Sequence, residues 1–250
     1  MTTVGSIYSF IDSVAPFSEQ CEWDNAGLLV GDKDIPVTKA LVCLDLTLDA
    51  LKAATDEGCN LVITHHPIIF SPLKSISFDD VVSKLCTNSI SVISAHTNYD
   101  KATGGVNDIL CQIMGIKNVV SFGEDSLARM GELESEMTDK EFAEFVGNKL
   151  NTAVKYVATQ KKIKKVALCG GAGADYMYTA IQMGVDALIT ADTKHHELLY
   201  SRDNGFCLVD AGHYSTENPA MEVLCDRLKE NFAEVDFVLY KGNDPVNYLI

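Results

Sequence analysis

The chain has 250 residues, 47% of them apolar, which is enough for a substantial core in one large domain or two small ones and excludes a disordered polymer. Its 35 acidic against 20 basic side chains give a net charge of −15, which excludes a stable nonspecific complex with nucleic acid or adhesion to an anionic membrane. A small phosphate-bearing substrate stays open, because bound metal ions reverse the local field.

The eight cysteines are scattered without a CxxC pair, and many sit inside apolar runs such as Ala40–Leu44 and Phe206–Val209. That usage points to buried free thiols of a reducing compartment. No basic leader precedes a long apolar stretch, and no run reaches the ~18–20 apolar residues needed to cross a bilayer, so a cytoplasmic location is expected.

In chain order, Ile7–Val14 reads as a short helix, followed by Pro16 and a turn at Glu22–Gly27 in which Trp23 is expected to act as a packing anchor. Asn25 and Gly27 are candidates for the rim of a site. Lys39–Leu44 reads as a buried strand, and Thr47 caps a helix over Leu48–Glu57 that Gly58 ends. Leu61–Thr64 is a strand running straight into His65-His66-Pro67. A helix over Phe78–Thr87, a strand at Val92–Ala95 and a helix over Gly105–Met114 follow.

The second half keeps the same rhythm. Thr138 to Glu141 has the spacing of a capping box and opens a helix over Asp139–Leu150, before strands at Ala153–Ala158 and Lys165–Cys169. The turn Gly170–Ala174, a helix over Tyr176–Met183, strands Ala187–Thr190 and Cys207–Asp210 and a closing helix Pro219–Asn231 complete the pattern. Strands alternating with helices predict an α/β fold with a substantially parallel sheet.

The halves also match residue by residue. Cys43, Ala54, Gly58 and Ile63-Thr64 recur 126 positions later as Cys169, Ala180, Gly184 and Ile189-Thr190, while His96 and Asp100 recur 117 positions later as His213 and Glu217. This predicts two duplicated α/β repeats, 1–126 and 127–250, facing each other.

Potential ligands concentrate in three stretches, His65-His66, His96 with Asp100, and His213 with Glu217, each directly after a predicted strand. Ligands collect beyond the carboxyl ends of strands in α/β sheets. Imidazole with carboxylate favours Zn, Mn, Fe, Co or Ni over an all-oxygen calcium cage, and the lack of cysteine in these stretches argues against a closed structural zinc site. The donors exceed the needs of one tetrahedral ion that also binds water, so two divalent ions are expected, with one carboxylate bridging and His65 and His66 diverging to different ions. Such a pair, about 3.5–4 Å apart, can activate water and stabilise a leaving oxygen at once.

His96 is either a ligand or the group that moves a proton. His196 and Asp192 are candidates to orient substrate or shuttle protons, and the alternative for His195 and His196 is a plain polar surface. Gly170–Gly173 lacks the lysine and hydroxyl of a phosphate loop, which leaves a tight strand-to-helix turn.

WDNAGLLVG at Trp23–Gly31, ITHHP at Ile63–Pro67, HTNYD at His96–Asp100, ITADTKHH at Ile189–His196 and DAGHYSTE at Asp210–Glu217 together resemble the GTP cyclohydrolase 1 type 2-like proteins, also called interacting-factor-3-like proteins. The resemblance spans nearly the whole chain. It implies two intertwined α/β repeats with mixed, partly parallel sheets and a dinuclear centre whose ligands are His65, His66, Asp100, His213 and Glu217. His96 and His196 then match polar pocket positions with catalytic roles. It further implies a homohexamer built from dimers, in a compact form, since the polar passage around Gly123–Thr138 has no room for the domain that longer members insert. Ala191 stands where the family usually has glycine, which narrows or stiffens that loop. The activity implied is metal-dependent hydrolysis of GTP, another nucleotide or a phosphoester. The competing class is a non-catalytic metal-binding, metal-handling or interaction protein.

Overall fold

A computed structural model describes residues 1–247, so the last three positions of the expected second repeat lie outside the described residues. Two compact units emerge from the packing, Met1–Thr103 with Ala220–Asn243, and Gly104–Pro219 with the chain from Asp244. Each is built around its own mixed sheet.

The first unit runs α1 (Val4–Val14), β1 (Gly27–Val30), β2 (Lys39–Cys43), α2 (Leu48–Asp56), β3 (Leu61–Thr64), α3 (Val81–Thr87), β4 (Ser91–Ser94) and α4 (Thr97–Lys101). The second runs α5 (Val106–Met114), β5 (Lys117–Phe122), β6 (Ala128–Thr138), α6 (Asp139–Leu150), β7 (Lys155–Tyr156), β8 (Lys162–Leu168), α7 (Tyr176–Gln182), β9 (Ala187–Thr190), α8 (His195–Asp203) and β10 (Cys207–Asp210), and ends within α9 (His213–Asn231). The C-terminal part of α9 and β11 (Asp236–Leu239) belong to the first unit, where β11 pairs in parallel with β2.

The first sheet has the order β1-β4-β3-β2-β11, parallel except for β1. The second has the order β5-β6-β8-β9-β10-β7, in which β8, β9 and β10 are parallel and the other pairings antiparallel. Strands β3, β4, β9 and β10 are buried along their whole length, as expected of parallel strands covered on both faces. Leu41, Leu51, Val62, Leu85 and Val92 pack in the first core, and Leu110, Phe142, Val146, Ile163 and Ile189 in the second. Among the described residues no helix is long and apolar enough to cross a membrane.

The duplicated βαβ segment is real in local detail. Gly58 and Gly184 take φ of +71° and +67° past α2 and α7, and the N–H of the following residue closes on the carbonyl of Ala54 or Ala180 at 2.8 and 3.0 Å. A left-handed residue at that point is the glycine C-cap that the sequence suggests. The repeat boundary at 126/127 and the packing boundary are different quantities. Helix α5 contributes Leu110, Cys111 and Met114 to the second core, and β11 returns to the first sheet.

Several expectations need correction. The polar passage around Gly123–Thr138 is mostly strand β6, whose outer residues are exposed and so lack an apolar signature. Helix α9 starts at His213 rather than Pro219, because the Thr216 hydroxyl donates to the Gly212 and His213 carbonyls and secures an earlier first turn. Helix α3 is shorter than expected and begins after Asp80. All eight cysteines are free and all but Cys86 are buried, with burial pushing the Cys111 and Cys207 thiols up to about 12.

The capping box at Thr138 and Glu141 is present, and next to it Asp139 braces the second unit. Its carboxylate accepts the backbone N–H of Thr159 at 2.5 Å, Gln160 at 2.8 Å and Lys140 at 2.7 Å. Burial alone would raise its pKa, but these bonds outweigh burial and the net shift is downward. A depressed folded pKa stabilises the protein above the unfolded value of about 3.9 and loses that contribution as pH falls through the folded value. The melting-temperature gap between wild type and Asp139→Asn should therefore be full above about pH 5 and narrow below about pH 4. A gap constant across that range would remove Asp139 from the acid response.

Candidate metal centre

In the first unit the candidate ligand side chains follow the carboxyl ends of β3 and β4. The N–H of His66 donates to the Leu44 carbonyl at 3.1 Å, and the Thr64 hydroxyl donates to the His66 carbonyl at 2.9 Å, fixing the turn that carries both histidines. His65 is fully buried and His66 half-buried. His65, His66 and His96 each offer one ligand atom within 4.8 Å of the others, and His65 Nε2 lies 3.6 Å from the buried Asp100 carboxylate on α4.

The other nitrogen of each ring is already committed. Nδ1 of His65 donates to the Ala95 carbonyl at 2.8 Å, Nδ1 of His66 to Asp45 at 2.7 Å and Nδ1 of His96 to Asp24 at 2.8 Å. A carbonyl or carboxylate can only accept, so Nδ1 carries the proton and the neutral ring has its lone pair on Nε2. Histidines that hold metals are oriented in this way, by an acceptor behind the ring.

The Asp24 carboxylate also accepts from the N–H and hydroxyl of Thr97 at 3.0 and 2.5 Å. Burial alone would push its pKa up, but the hydrogen bonds from His96 and Thr97 override it and hold the group at about 2. Asp24 thus stays an anion that fixes both the tautomer and the position of His96.

The second unit repeats the device. His213 and Glu217 lie one turn apart on α9, with His213 Nε2 3.0 Å from the Glu217 carboxylate and His213 Nδ1 donating to Asp192 at 2.7 Å. Asp192 itself sits at φ +54°, a left-handed conformation that Asp tolerates better than most residues. The Gly170–Gly173 turn lies against this pair. A methyl group on Gly171, whose φ is +63°, would fall 2.1 Å from Glu217 Oε1 and 3.1 Å from His213 Nε2. The N–H groups of the turn's three glycines are spent on the protein itself, Gly170 to Asn107, Gly171 to Thr216 and Gly173 to Thr190, so the turn is bound into its surroundings rather than open as a phosphate cradle.

The donor chemistry fits a divalent transition ion: several neutral imidazoles with fixed rings, and buried carboxylates facing two of them. His196 stands exposed in the first turn of α8, its Nε2 4.0 Å from Glu197, and joins no donor group among the described residues. His195 is exposed beside it. Ala191 is fully buried and its N–H donates to the Gly171 carbonyl at 2.8 Å, so its methyl group lies in the core. Trp23 is 60% exposed, against the expectation of a packing anchor. The residues that sequence reasoning missed are Asp45, Asp24 and Gly171; the only signal for them was their place after strands or beside a ligand motif.

The fold and the site define a mixed α/β protein whose clustered histidines and carboxylates could hold a divalent metal ion. The chain belongs to the Duf34/NIF3 (NGG1p interacting factor 3) family, whose profile matches residues 2–245. It is 32% identical to a protein of Clostridium perfringens named GTP cyclohydrolase 1 type 2 homolog, over 98% of this chain and 99% of that one. A Clostridium acetobutylicum protein of the same name is 34% identical, over 90% of this chain and 89% of its own length. The crystal structure of a hypothetical protein from Staphylococcus aureus superposes with a TM-score of 0.91 at 30% identity, covering 99% of both chains.

Proposed function

We propose that the protein is a divalent-metal-dependent hydrolase with a dinuclear centre held by His65, His66, Asp100, His213 and Glu217, acting on GTP, another nucleotide or a phosphoester. The observation that carries this reading is the Nδ1 hydrogen bond behind every one of His65, His66, His96 and His213, which dedicates four Nε2 atoms to one task. The names of the Clostridium relatives support the substrate class.

When bound, a pair of ions lowers the pKa of water and neutralises charge on the leaving oxygen. The protein's own groups do the rest. His65 and His66 diverge from one turn, while Asp100 and Glu217 supply charge. His96, held by Asp24, is placed to accept a proton at Nε2 and return it to the leaving group. His196 is assigned an outer role at the substrate's edge. A cytoplasmic homohexamer built from dimers is part of the same proposal, and light scattering that finds only monomer at micromolar concentration would remove it.

The test is a screen of nucleotides and phosphoesters on protein loaded separately with Zn, Mn, Fe, Co or Ni, with metal content measured per chain. Two ions per chain, and turnover lost in His66→Ala with fold and assembly intact, would support the hydrolase. Inactivity on every substrate at full occupancy would favour a metal-binding or metal-handling protein, and a single fully coordinated ion would defeat the dinuclear centre.

A further inference from the structure

Two large aromatic side chains beside the histidine cluster of the first unit are left open to solvent. Trp23 is 60% exposed and Phe70 is 52% exposed. Their ring centroids are 5.9 Å apart with the planes inclined at 45°, and the His96 ring lies 6.0 Å from Trp23 and 6.4 Å from Phe70. Leaving this much aromatic surface in water forgoes favourable burial, and the two rings stand together rather than scattered.

The loops that carry the rings are pinned. Asp24, next to Trp23, accepts from His96 and Thr97 and its N–H donates to the Cys21 carbonyl at 2.9 Å, while the Cys21 N–H donates to the Thr97 hydroxyl at 2.9 Å. Asn25 reaches across from the Trp23 loop and donates its side-chain amide to the Ile69 carbonyl at 2.6 Å, directly before Phe70. With the backbone at both rings fixed and the rings in contact with each other and with His96, less conformational entropy is lost when something lies on them.

We infer that Trp23 and Phe70 form a stacking shelf for a planar heteroaromatic ring of purine size, presenting that ring's reacting edge toward His96 and the histidine cluster. The inference deepens the hydrolase reading and rests on it for which end of the ligand reacts. A π-face on an exposed aromatic pair suits a flat ring whatever its substituents. The two rings stand against each other, so a flat ligand ring lies on their outward faces, with the His96 ring at the inner edge of the shelf. The net charge of −15 argues against a nucleic-acid polymer as occupant, and a protein seated on the shelf would close off the donors beside it.

Trp23 is the only tryptophan in the chain, so its fluorescence reports the shelf directly. The experiment titrates the full-length protein with guanosine 5′-monophosphate and, as a ringless phosphate control, ribose 5-phosphate, both with metal bound and after chelation. Saturable quenching by the nucleotide in both states, none by ribose phosphate, and affinity weakened about tenfold or more by Phe70→Ala but retained by Phe70→Tyr are expected. Metal content is measured on each variant. Quenching that persists in a wild type unable to retain metal would sink the hydrolase reading and keep the shelf. Normal metal content without nucleotide quenching, equal quenching by ribose phosphate, or Trp23 shielded from acrylamide by self-association would overturn the shelf.

Discussion

Gly171→Ala is expected to weaken divalent-metal binding by about 10- to 100-fold, the range seen when a ligand's supporting shell is disturbed. Two effects combine. The left-handed backbone at φ +63° costs a non-glycine residue about 1–2 kcal/mol, and the added methyl would stand 2.1 Å from Glu217 Oε1. Glu217 has no easy retreat, because its side chain is buried, and the turn is held in place by the Gly171 N–H, which donates to the Thr216 hydroxyl at 3.0 Å. The carboxylate must rotate away from His213, and the donor pair comes apart. Gly184→Ala is the matched control: it has nearly the same φ, +67°, but nothing within 4 Å of the added methyl. Both variants should lose thermal stability, Gly171→Ala the more because of its clash, and only Gly171→Ala should lose metal. Equal metal titrations for the two would mean that Glu217 does not need the space Gly171 leaves.

The fold was legible wherever a strand was buried on both faces. Leu61–Thr64, Ala187–Thr190 and Cys207–Asp210 are short apolar runs ending on turn or ligand residues, and the structure keeps those boundaries. Strands β5 and β6 were not legible: β5 exposes all but its last residue, Val119 and Val120 included, β6 mixes exposed polar residues with buried ones, and both lie at the antiparallel end of their sheet. Helix α8 was missed for a similar reason, since His195 and His196 at its start are exposed and offer no apolar periodicity.

The clustering of histidines and carboxylates that could hold a metal ion was readable from their placement after strands, but the groups that support them were not. Asp24 lies 72 residues from the His96 it holds, and Asp45 and Asp192 each lie 21 residues from theirs. The repeat offset of 126 explains part of this in retrospect. It carries Asp45, His65 and His66 onto Gly171, Ala191 and Asp192, so the second copy has, in place of two histidines and the acceptor behind one of them, the residues that make room for Glu217 and hold His213.

Asp24→Asn should separate the two readings of His96. The carboxylate is wholly covered; one oxygen accepts His96 Nδ1–H and the Asn25 N–H, and the other accepts both the N–H and the hydroxyl of Thr97. An asparagine has one oxygen for these two sets of donors, so its NH2 meets a backbone N–H, that of Thr97 or that of Asn25, in either orientation. The anion behind His96 is lost while size and shape are kept. The ring is then no longer held with its proton on Nδ1, and Nε2 is no longer fixed as the atom whose lone pair either binds an ion or takes a proton. If His96 is a ligand, metal affinity should fall about 10- to 100-fold. If it only transfers protons, metal titration by calorimetry should match wild type, while turnover falls by about 10²–10⁴-fold, the usual worth of a general acid or base. Asp24→Ala adds a stability loss of about 1–3 kcal/mol for each buried donor left without an acceptor, visible as a lower melting temperature in chelator. Wild-type metal binding and turnover in Asp24→Asn would show that the tautomer Asp24 enforces is not used by the centre at all.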